Sequence, residues 1–545
     1  MTVGIETELA VLIDVGSAWA KASVIGRVRG RWRLVTRVAQ PTAWGAGELQ
    51  RALLERLEAA VDARLAPRMG ELLASANRIE CHTARRPGRI VVAAVSRELS
   101  GGAARRAAEA AGWQVAEIVT LDDGRSLADR LATLQSVETD AWVIAGGFDG
   151  TRSRRALEAA ALVASARRRG SGPVIWAGSD ELADEVAALF EAEGCSPVGN
   201  VRPDPRREST APLREHLQGL LRTVVAREDE THLAAIALPR AIGALAVGSG
   251  LRILAVDIGA RGAISALAEP DGSFDSRIRG GGGLAGLAGV PGSAARVSRL
   301  AGDAGDEATV ADLLQTLRSR PASLAETPEE LSAIHAAARV QAASLIEDAA
   351  QGALDLVIGC GSTIAGAPHP AQAARILLDG LRPIGVTQLA LDAASVLGPL
   401  GTLPDDEISE GIGLLIEDLL LPLGTAVVCR GGEPGRMAMR VTVHRAGWPD
   451  TAPIEVRSGQ LQVVPLARGQ EAELTIEPGD GVTLGAGRRS PRIQALATGG
   501  AVGLILDARG IPIMLPRRGD DRRAMLASWR DALAREPAPG VERVA

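Results

Sequence analysis

The sequence predicts an α/β protein built from a duplicated strand-and-turn unit, with an α/β insertion and a C-terminal all-β domain. Three observations carry this reading. Leu9-Ala-Val-Leu-Ile-Asp14-Val-Gly16 is a short apolar run ending in Asp-x-Gly, and Ile253-Leu-Ala-Val-Asp257-Ile-Gly259 repeats it 243 residues later. Between the two, buried-type strands alternate with helical periods, as in a parallel sheet covered on both faces. After about Leu423, short β-like runs recur roughly every ten residues, the spacing of a sandwich or barrel.

Each element follows in order. The first half spans 1–250. After its opening strand come a second β-like run beyond Lys21 and a strand at 32–36. Leu49, Leu53, Leu57, Val61 and Leu65 then fall at every fourth position, which is one face of an amphipathic helix. The insertion occupies about 89–200. Its strands are 90–95, 115–121, 141–145 and 174–177, and helices are expected at 103–111, 154–168 and 180–193. The second half, 251–423, adds helices at 328–351 and 370–380 and a strand-turn, Leu354-Asp-Leu-Val-Ile-Gly359-Cys-Gly361-Ser362. A β-rich domain is expected over 424–515, with turns at Gly431-Gly432, Arg457-Ser-Gly459 and Pro478-Gly-Asp-Gly481. Residues 516–545 carry a last helix and a Pro-rich tail.

Composition narrows the function classes. With 60 Lys+Arg against 66 Asp+Glu, the net charge of −6 argues against a nucleic-acid binder with a bulk basic surface. No apolar stretch reaches the ~20 clean residues of a spanning helix, so no membrane role is expected. Arg240 and Arg252 bracket one such stretch, and Glu417 and Asp418 interrupt another. Glu6 and Glu8 occupy the place of a basic leader region, which argues against a signal peptide. Cys81, Cys195, Cys360 and Cys429 form no CxxC pair, which fits reduced thiols and a cytoplasmic setting better than a zinc site. Lys21 is the single lysine in a chain whose other cations are arginines. A compact ammonium fits against a phosphate where a guanidinium does not.

The three strand-turns point to nucleotide chemistry. A tight turn after a strand exposes backbone N–H groups that can cradle phosphate oxygens, and glycine permits the close approach. This makes Asp14, Gly16, Ser17 and Lys21 one candidate phosphate turn, and Asp257 with Gly259 a second. Asp14 and Asp257 could hold a hydrated Mg²⁺ between phosphates. Gly359, Gly361 and Ser362 form a third turn against which a purine and ribose could lie. ATP or ADP with Mg²⁺ is the ligand expected. The alternative is that both aspartates simply cap turns. No Walker A motif, dinucleotide fingerprint or Gly-x-Ser-x-Gly elbow is present. His216, His232 and His335 read as helix residues rather than ligands, and Trp19, Trp142 and Trp176 as core.

This ordered triplet resembles the phosphate-1, phosphate-2 and adenosine motifs of the actin/Hsp70/sugar-kinase superfamily. Within it, the chain is most similar to the glutamate mutase L (MutL-type) family, accessory proteins of adenosylcobalamin-dependent mutases. Asp14-Val-Gly16-Ser17-Ala-Trp-Ala-Lys21 is similar to that family's Asp-Phe-Gly-Ser-Thr-x-Thr-Lys opening. Gly146-Gly147-Phe-Asp149-Gly150 resembles its Gly-Gly-Thr-Asp-Gly segment, and Gly199-Asn200-Val-Arg-Pro203 its Glu-Asn-Val-x-Pro. Val256-Asp257-Ile-Gly259 resembles the start of its Val-Asp-Ile-Gly-Gly-Ala-Thr-Thr-Asp motif. The resemblance covers about 9–420. It implies an actin-like ATPase architecture of duplicated subdomains, a chaperone-like role, and cobalamin-dependent mutase subunits as partners.

The departures bear on activity. Ala18 and Ala20 stand where the family pattern has Thr, and Ala260-Arg261-Gly262-Ala263-Ile264 replaces Gly-Ala-Thr-Thr-Asp. Two hydroxyls and a carboxylate are missing where phosphate and water would be handled. The expectation is a nucleotide-binding accessory protein with weakened or lost ATP hydrolysis, not a mutase itself. A nucleotide-independent scaffold whose β domain binds a partner is the second reading. A small-molecule kinase is disfavoured, because no carboxylate stands out as a base.

Overall fold

A computed structural model describes residues 9–534 except 43–45, 66–72, 74, 84–87, 169, 191–193, 225–232, 281–282, 303–304, 347–351, 406, 409–418 and 486–491. The interrupting Glu417 and Asp418, His232 and the Pro-rich tail named above therefore lie outside the described residues. Two compact units are present. The first comprises 1–82, 240–274 and 281–545; the second comprises 83–239 and 275–280.

In the first unit, β1 (Leu9–Val15), β2 (Trp19–Val28), β3 (Arg31–Pro41) and β4 (Asn77–His82) form a sheet in the order β3-β2-β1-β4. The strand β1 runs antiparallel to β2 and parallel to β4. Leu49, Leu53 and Leu57 of the helix Ala46–Leu65 bury the first three positions of the stripe read from the sequence against this sheet, and the side chains of Val61 and Leu65 lie outside the described ones.

The second unit is an all-parallel sheet of β5 (Arg89–Ala94), β6 (Gln114–Thr120), β7 (Ala141–Ala145), β8 (Val174–Trp176) and β9 (Cys195–Pro197), in the order β6-β5-β7-β8-β9. Successive residues of a strand face opposite sides. Ile90, Val92 and Ala94 accordingly enter one core, with the helix Gly102–Ala110 and the helix Ala211–Val224. Val91 and Ala93 enter another, with the helix Arg154–Ala166. Trp142 and Trp176 lie in that second core.

Back in the first unit, the opening pattern returns. The strand β10 (Ile253–Ile258) runs antiparallel to β11 (Gly262–Ala268). After β12 (Phe274–Gly280), which straddles the division of the chain, β13 (Leu356–Cys360) lies parallel to β10. An antiparallel hairpin with a parallel third strand thus occurs twice, as β2-β1-β4 and as β11-β10-β13. This is the duplicated α/β architecture that the repeated Asp-x-Gly motif implies, with added strand-rich sheets toward the C-terminus.

The sheet of β10 and β13 continues through β14 (Gly385–Leu391), β15 (Leu421–Val428) and, farther along the chain, β23 (Gly503–Asp507) and β19 (Leu461–Val464). Two short strands, β16 (Arg430–Gly431) and β21 (Val482–Thr483), pair antiparallel, and a second layer comprises β17 (Met437–His444), β18 (Ile454–Arg457), β20 (Glu471–Pro478) and β22 (Ile493–Thr498), in the order β18-β17-β20-β22. Alternate residues of β17 and β20 pack against Val427, Leu504 and Leu506, giving a two-layer core. The strand β15 crosses the 423/424 position read as a boundary. The last helix, Gly519–Ala534, places Leu526, Trp529 and Leu533 in the core of the second half.

Candidate functional site

Both Asp-x-Gly hairpins close in the same way. The Gly16 N–H donates to the Trp19 carbonyl at 3.0 Å, and the Gly259 N–H donates to the Gly262 carbonyl at 2.9 Å. A Cβ on Gly16 would stand 2.7 Å from the Trp19 carbonyl oxygen, so the first turn requires glycine. The glycine N–H groups are thereby consumed by the turns. Ser17 sits half-buried in the first of them.

Register decides what faces each aspartate. Lys21 lies across the hairpin from Asp14, and Ile264 occupies the equivalent place across from Asp257. On the parallel side, Cys81 is level with Asp14 and Cys360 with Asp257. Both thiols are buried, and desolvation raises their pKa values well above the ordinary value.

The two halves meet at a charged cluster. Lys21 Nζ donates to Asp14 Oδ2 at 2.8 Å. Burial alone would lower the lysine pKa, but the carboxylates of Asp14 and Asp257 outweigh it and hold the ammonium above its ordinary value. Burial pushes the Asp257 carboxyl up to about 6; Lys21 opposes this, and Asp14 and Asp392 add to it. Asp392, just past β14, is buried and accepts the N–H groups of Val396 and Leu397 at 2.8 and 3.1 Å. Its carboxyl is also raised by burial, against those two amides. Ser23 and Arg37 of the first sheet donate to the carbonyls of Ala394 and Ala393 in the loop after Asp392. The sequence reading missed Asp392 and Arg37. The run Leu389-Ala-Leu-Asp392 does end an apolar strand in aspartate, but no glycine follows to mark it.

The third turn closes over this cluster. Gly361 has φ +79, and a Cβ there would stand 2.6 Å from Asp257 Oδ1. Only glycine can place the backbone on that carboxylate. Gly359 packs tightly instead against Ile364 and Leu391, and its carbonyl accepts the Asp392 N–H at 3.0 Å.

A cavity of about 640 Å³ opens beside the turns that carry the cluster. Trp19 from the first hairpin, Ala260 from the second, and Ser362 and Thr363 from the third turn all line it. Its other walls come from the segment 321–328, the helix Pro328–Ile346 and Gln372. The structure thus brings all three turns to one place. Of the nine residues singled out from the sequence, Ser362 lines the cavity; Asp14, Lys21 and Asp257 form the charged cluster beside it. Trp19, read as core, faces the cavity. His335 lines it too; burial, with Arg339 and Arg375 adding to it, lowers its pKa to about 4, so the ring is neutral at pH 7.

In the second unit, the two remaining family-like segments meet. Asn200 Nδ2 donates to the Gly147 carbonyl at 3.1 Å and to Asp149 Oδ1 at 2.7 Å, and the Asp149 N–H donates to the Pro203 carbonyl at 2.9 Å. They brace the loops at the C-terminal ends of β7 and β9.

The family model of the MutL protein matches residues 10–264, which bears out the resemblance over that stretch. No curated protein matches the chain. Component A of (R)-2-hydroxyglutaryl-CoA dehydratase from Acidaminococcus fermentans is 10% identical, over 74% of this chain and 100% of that one, with a TM-score of 0.28. The activator of the 2-hydroxyisocaproyl-CoA dehydratase from Clostridium difficile, with bound ADPNP, is 10% identical over 74% and 96%, with a TM-score of 0.27. A carbohydrate kinase from Novosphingobium aromaticivorans is 12% identical over 78% and 94%, with a TM-score of 0.26.

Proposed function

From the premise that residues 10–264 carry the MutL family pattern, we propose that this chain is a nucleotide-binding accessory protein of an adenosylcobalamin-dependent mutase of the glutamate mutase type. The observation that carries the proposal is the single cavity lined by residues from all three turns. In this reading ATP or ADP occupies the cavity, and the protein acts as a chaperone for the mutase subunits in the cytoplasm. No described helix is long and apolar enough to cross a membrane.

Hydrolysis is weakened or lost in this proposal. The two hairpins contribute Trp19 and Ala260 to the lining, and neither offers a hydroxyl or carboxylate there. Ala18 and Ala20 are buried, and Ile264 stands where the family pattern has aspartate. The donor set does not fit a resident Mg²⁺. The Lys21 ammonium occupies Asp14, and among the described residues no three His, Cys, Asp or Glu side chains are grouped to hold an ion. Asp14 and Asp257 remain in the proposal as the charged cluster beside the cavity, while Gly16, Ser17, Gly259, Gly359, Gly361 and Ser362 shape the turns.

The test is calorimetric titration of the full chain with ATP and ADP, phosphate-release assay, and co-elution with mutase subunits. Binding without turnover, together with co-elution, is expected. Co-elution without any nucleotide binding would favour the scaffold reading instead.

A further inference from the structure

The composition of the cavity wall says more about its ligand than the turns do. Its apolar surface comes from Trp19, Leu284, Leu317, Leu331 and Ile334, and its hydrogen-bonding groups include Ser362, Thr363 and Gln372. Among the described residues, no lysine or arginine lines it. The nearby cations of the charged cluster are committed elsewhere. Lys21 is bound to Asp14, and Arg37 donates to the Ala393 carbonyl. Arg261 is exposed and is not among the lining residues, although its neighbour Ala260 is. The cluster itself sets three carboxylates, Asp14, Asp257 and Asp392, against those two cations, and the lining adds the carboxylate of Glu326.

A polyphosphate drawn into such a space would lose water without gaining a partner charge, and a desolvated charge left unpaired is strongly disfavoured. A neutral ring system meets the opposite balance. An aromatic wall offers a stacking face, on which any base can lie because every base has a π-face. The hydroxyls of Ser362 and Thr363 offer donors and acceptors, and the Gln372 amide nitrogen a further donor, its Oε1 accepting the His369 N–H at 3.1 Å. A volume of about 640 Å³ also falls in the range of small-molecule pockets.

Building on the nucleotide-binding reading above, we infer that the cavity recognises the nucleoside moiety of its ligand and gains no affinity from phosphates. Trp19 is the stacking wall and the residue that sets this specificity. Any phosphates on the ligand remain in solvent. In this site the nucleoside itself is the recognised group, and Mg²⁺ has no part in binding it.

The experiment is calorimetric titration of the full chain with adenosine, ADP and ATP, each with and without Mg²⁺, at two salt concentrations. Affinities within about threefold of one another, unaffected by Mg²⁺ and salt, are expected. Trp19→Ala should weaken all three ligands at least tenfold, and Trp19→Phe should restore most of the loss. Thermal unfolding of each variant confirms that it is folded. ATP with Mg²⁺ binding tenfold or more tighter than adenosine overturns the inference and leaves the nucleotide-binding reading intact. Unchanged affinity in folded Trp19→Ala overturns the role of Trp19. Failure of all three ligands to bind the wild type sinks the nucleotide-binding reading, and this inference with it.

Discussion

Lys21 faces Asp14 across the first hairpin, and its ammonium lies 2.8 Å from the carboxylate. The lysine is therefore the counter-ion of a buried acidic cluster rather than a free cation at the rim of the cavity. Removing one partner of a buried pair leaves an uncompensated charge, at a cost of about 3–5 kcal/mol. Lys21→Met should lower the thermal unfolding midpoint markedly, and adding Asp14→Asn should recover much of the loss. A midpoint within a degree of wild type for Lys21→Met would mean that solvent already screens the pair.

Asp257 gives a pH signature of definite sign. Its carboxyl titrates near 6 in the folded chain against an ordinary 3.8. Between those values the unfolded chain has ionised while the folded chain still holds the proton, so rising pH disfavours the fold. The loss accumulates from about pH 4 to 6 and is constant above. Two pH units correspond to about 3 kcal/mol as an upper bound. Asp257→Asn should therefore raise the unfolding midpoint at pH 7.5 and match wild type near pH 4. A lower midpoint for the variant at pH 7.5 would show that the ionised carboxylate is needed by the fold.

Much of this site was legible in the sequence because its marks are local. An apolar strand ending in Asp-x-Gly reads the same at Asp14 and Asp257, and the register shows the two hairpins as equivalents. Asp392 carries the same charge at the same kind of strand end. Its carboxylate accepts the Val396 and Leu397 N–H groups at the start of the Leu397–Leu400 helix instead of opening a glycine turn, so no turn signal marked it. Lys21 stood out by its rarity, but whether a phosphate or a carboxylate faces it depends on pairing. Strand spacing after 423 revealed the strands and not their sheet, since β15, β19 and β23 join a sheet begun at β10. Trp19 alternates with the buried Ala18 and Ala20, and only the cavity shows which way it faces.

A second buried network, invisible in the sequence, ties the C-terminal region to the second half. Arg509 donates to Asp379 Oδ1 and to Asp507 Oδ2, each at 2.6 Å, and Arg339 donates to Asp379 Oδ2 at 3.0 Å. The Arg509 guanidinium also lies 5.0 Å from the centroid of the Trp529 ring. Although burial opposes its charge, Asp379 is held well below the usual carboxylate range by Arg509, Arg339 and Arg375. Its contribution is present above the unfolded value near 3.9 and is lost as pH falls below it. Arg509→Leu should cost about 3–5 kcal/mol and speed amide exchange in the helix Gly519–Ala534 first. Unchanged exchange in that helix would separate it from the network.

Truncation tests whether the β-rich region is an appendage. A chain ending at Leu423 would cut β15 after its third residue and remove β23 and β19 from the same sheet. It would also delete Arg509, leaving Asp379 with one fewer buried counter-ion, and would strip Leu526, Trp529 and Leu533 from the core of the second half. The strand β14 would lose its partner from Gly385 to Leu389 and become an open edge there. A separate domain would tolerate the cut, because its core would leave with it. Here Val428, Leu461, Val502 and Ile505 belong to the same core as Val256 and Val357. The truncated chain is expected to aggregate or to lose its cooperative thermal transition. Limited proteolysis of the full chain should correspondingly leave no stable fragment ending near 420. Recovery of a soluble fragment ending there, with a cooperative melt, would show that the second half folds without the strands that follow it.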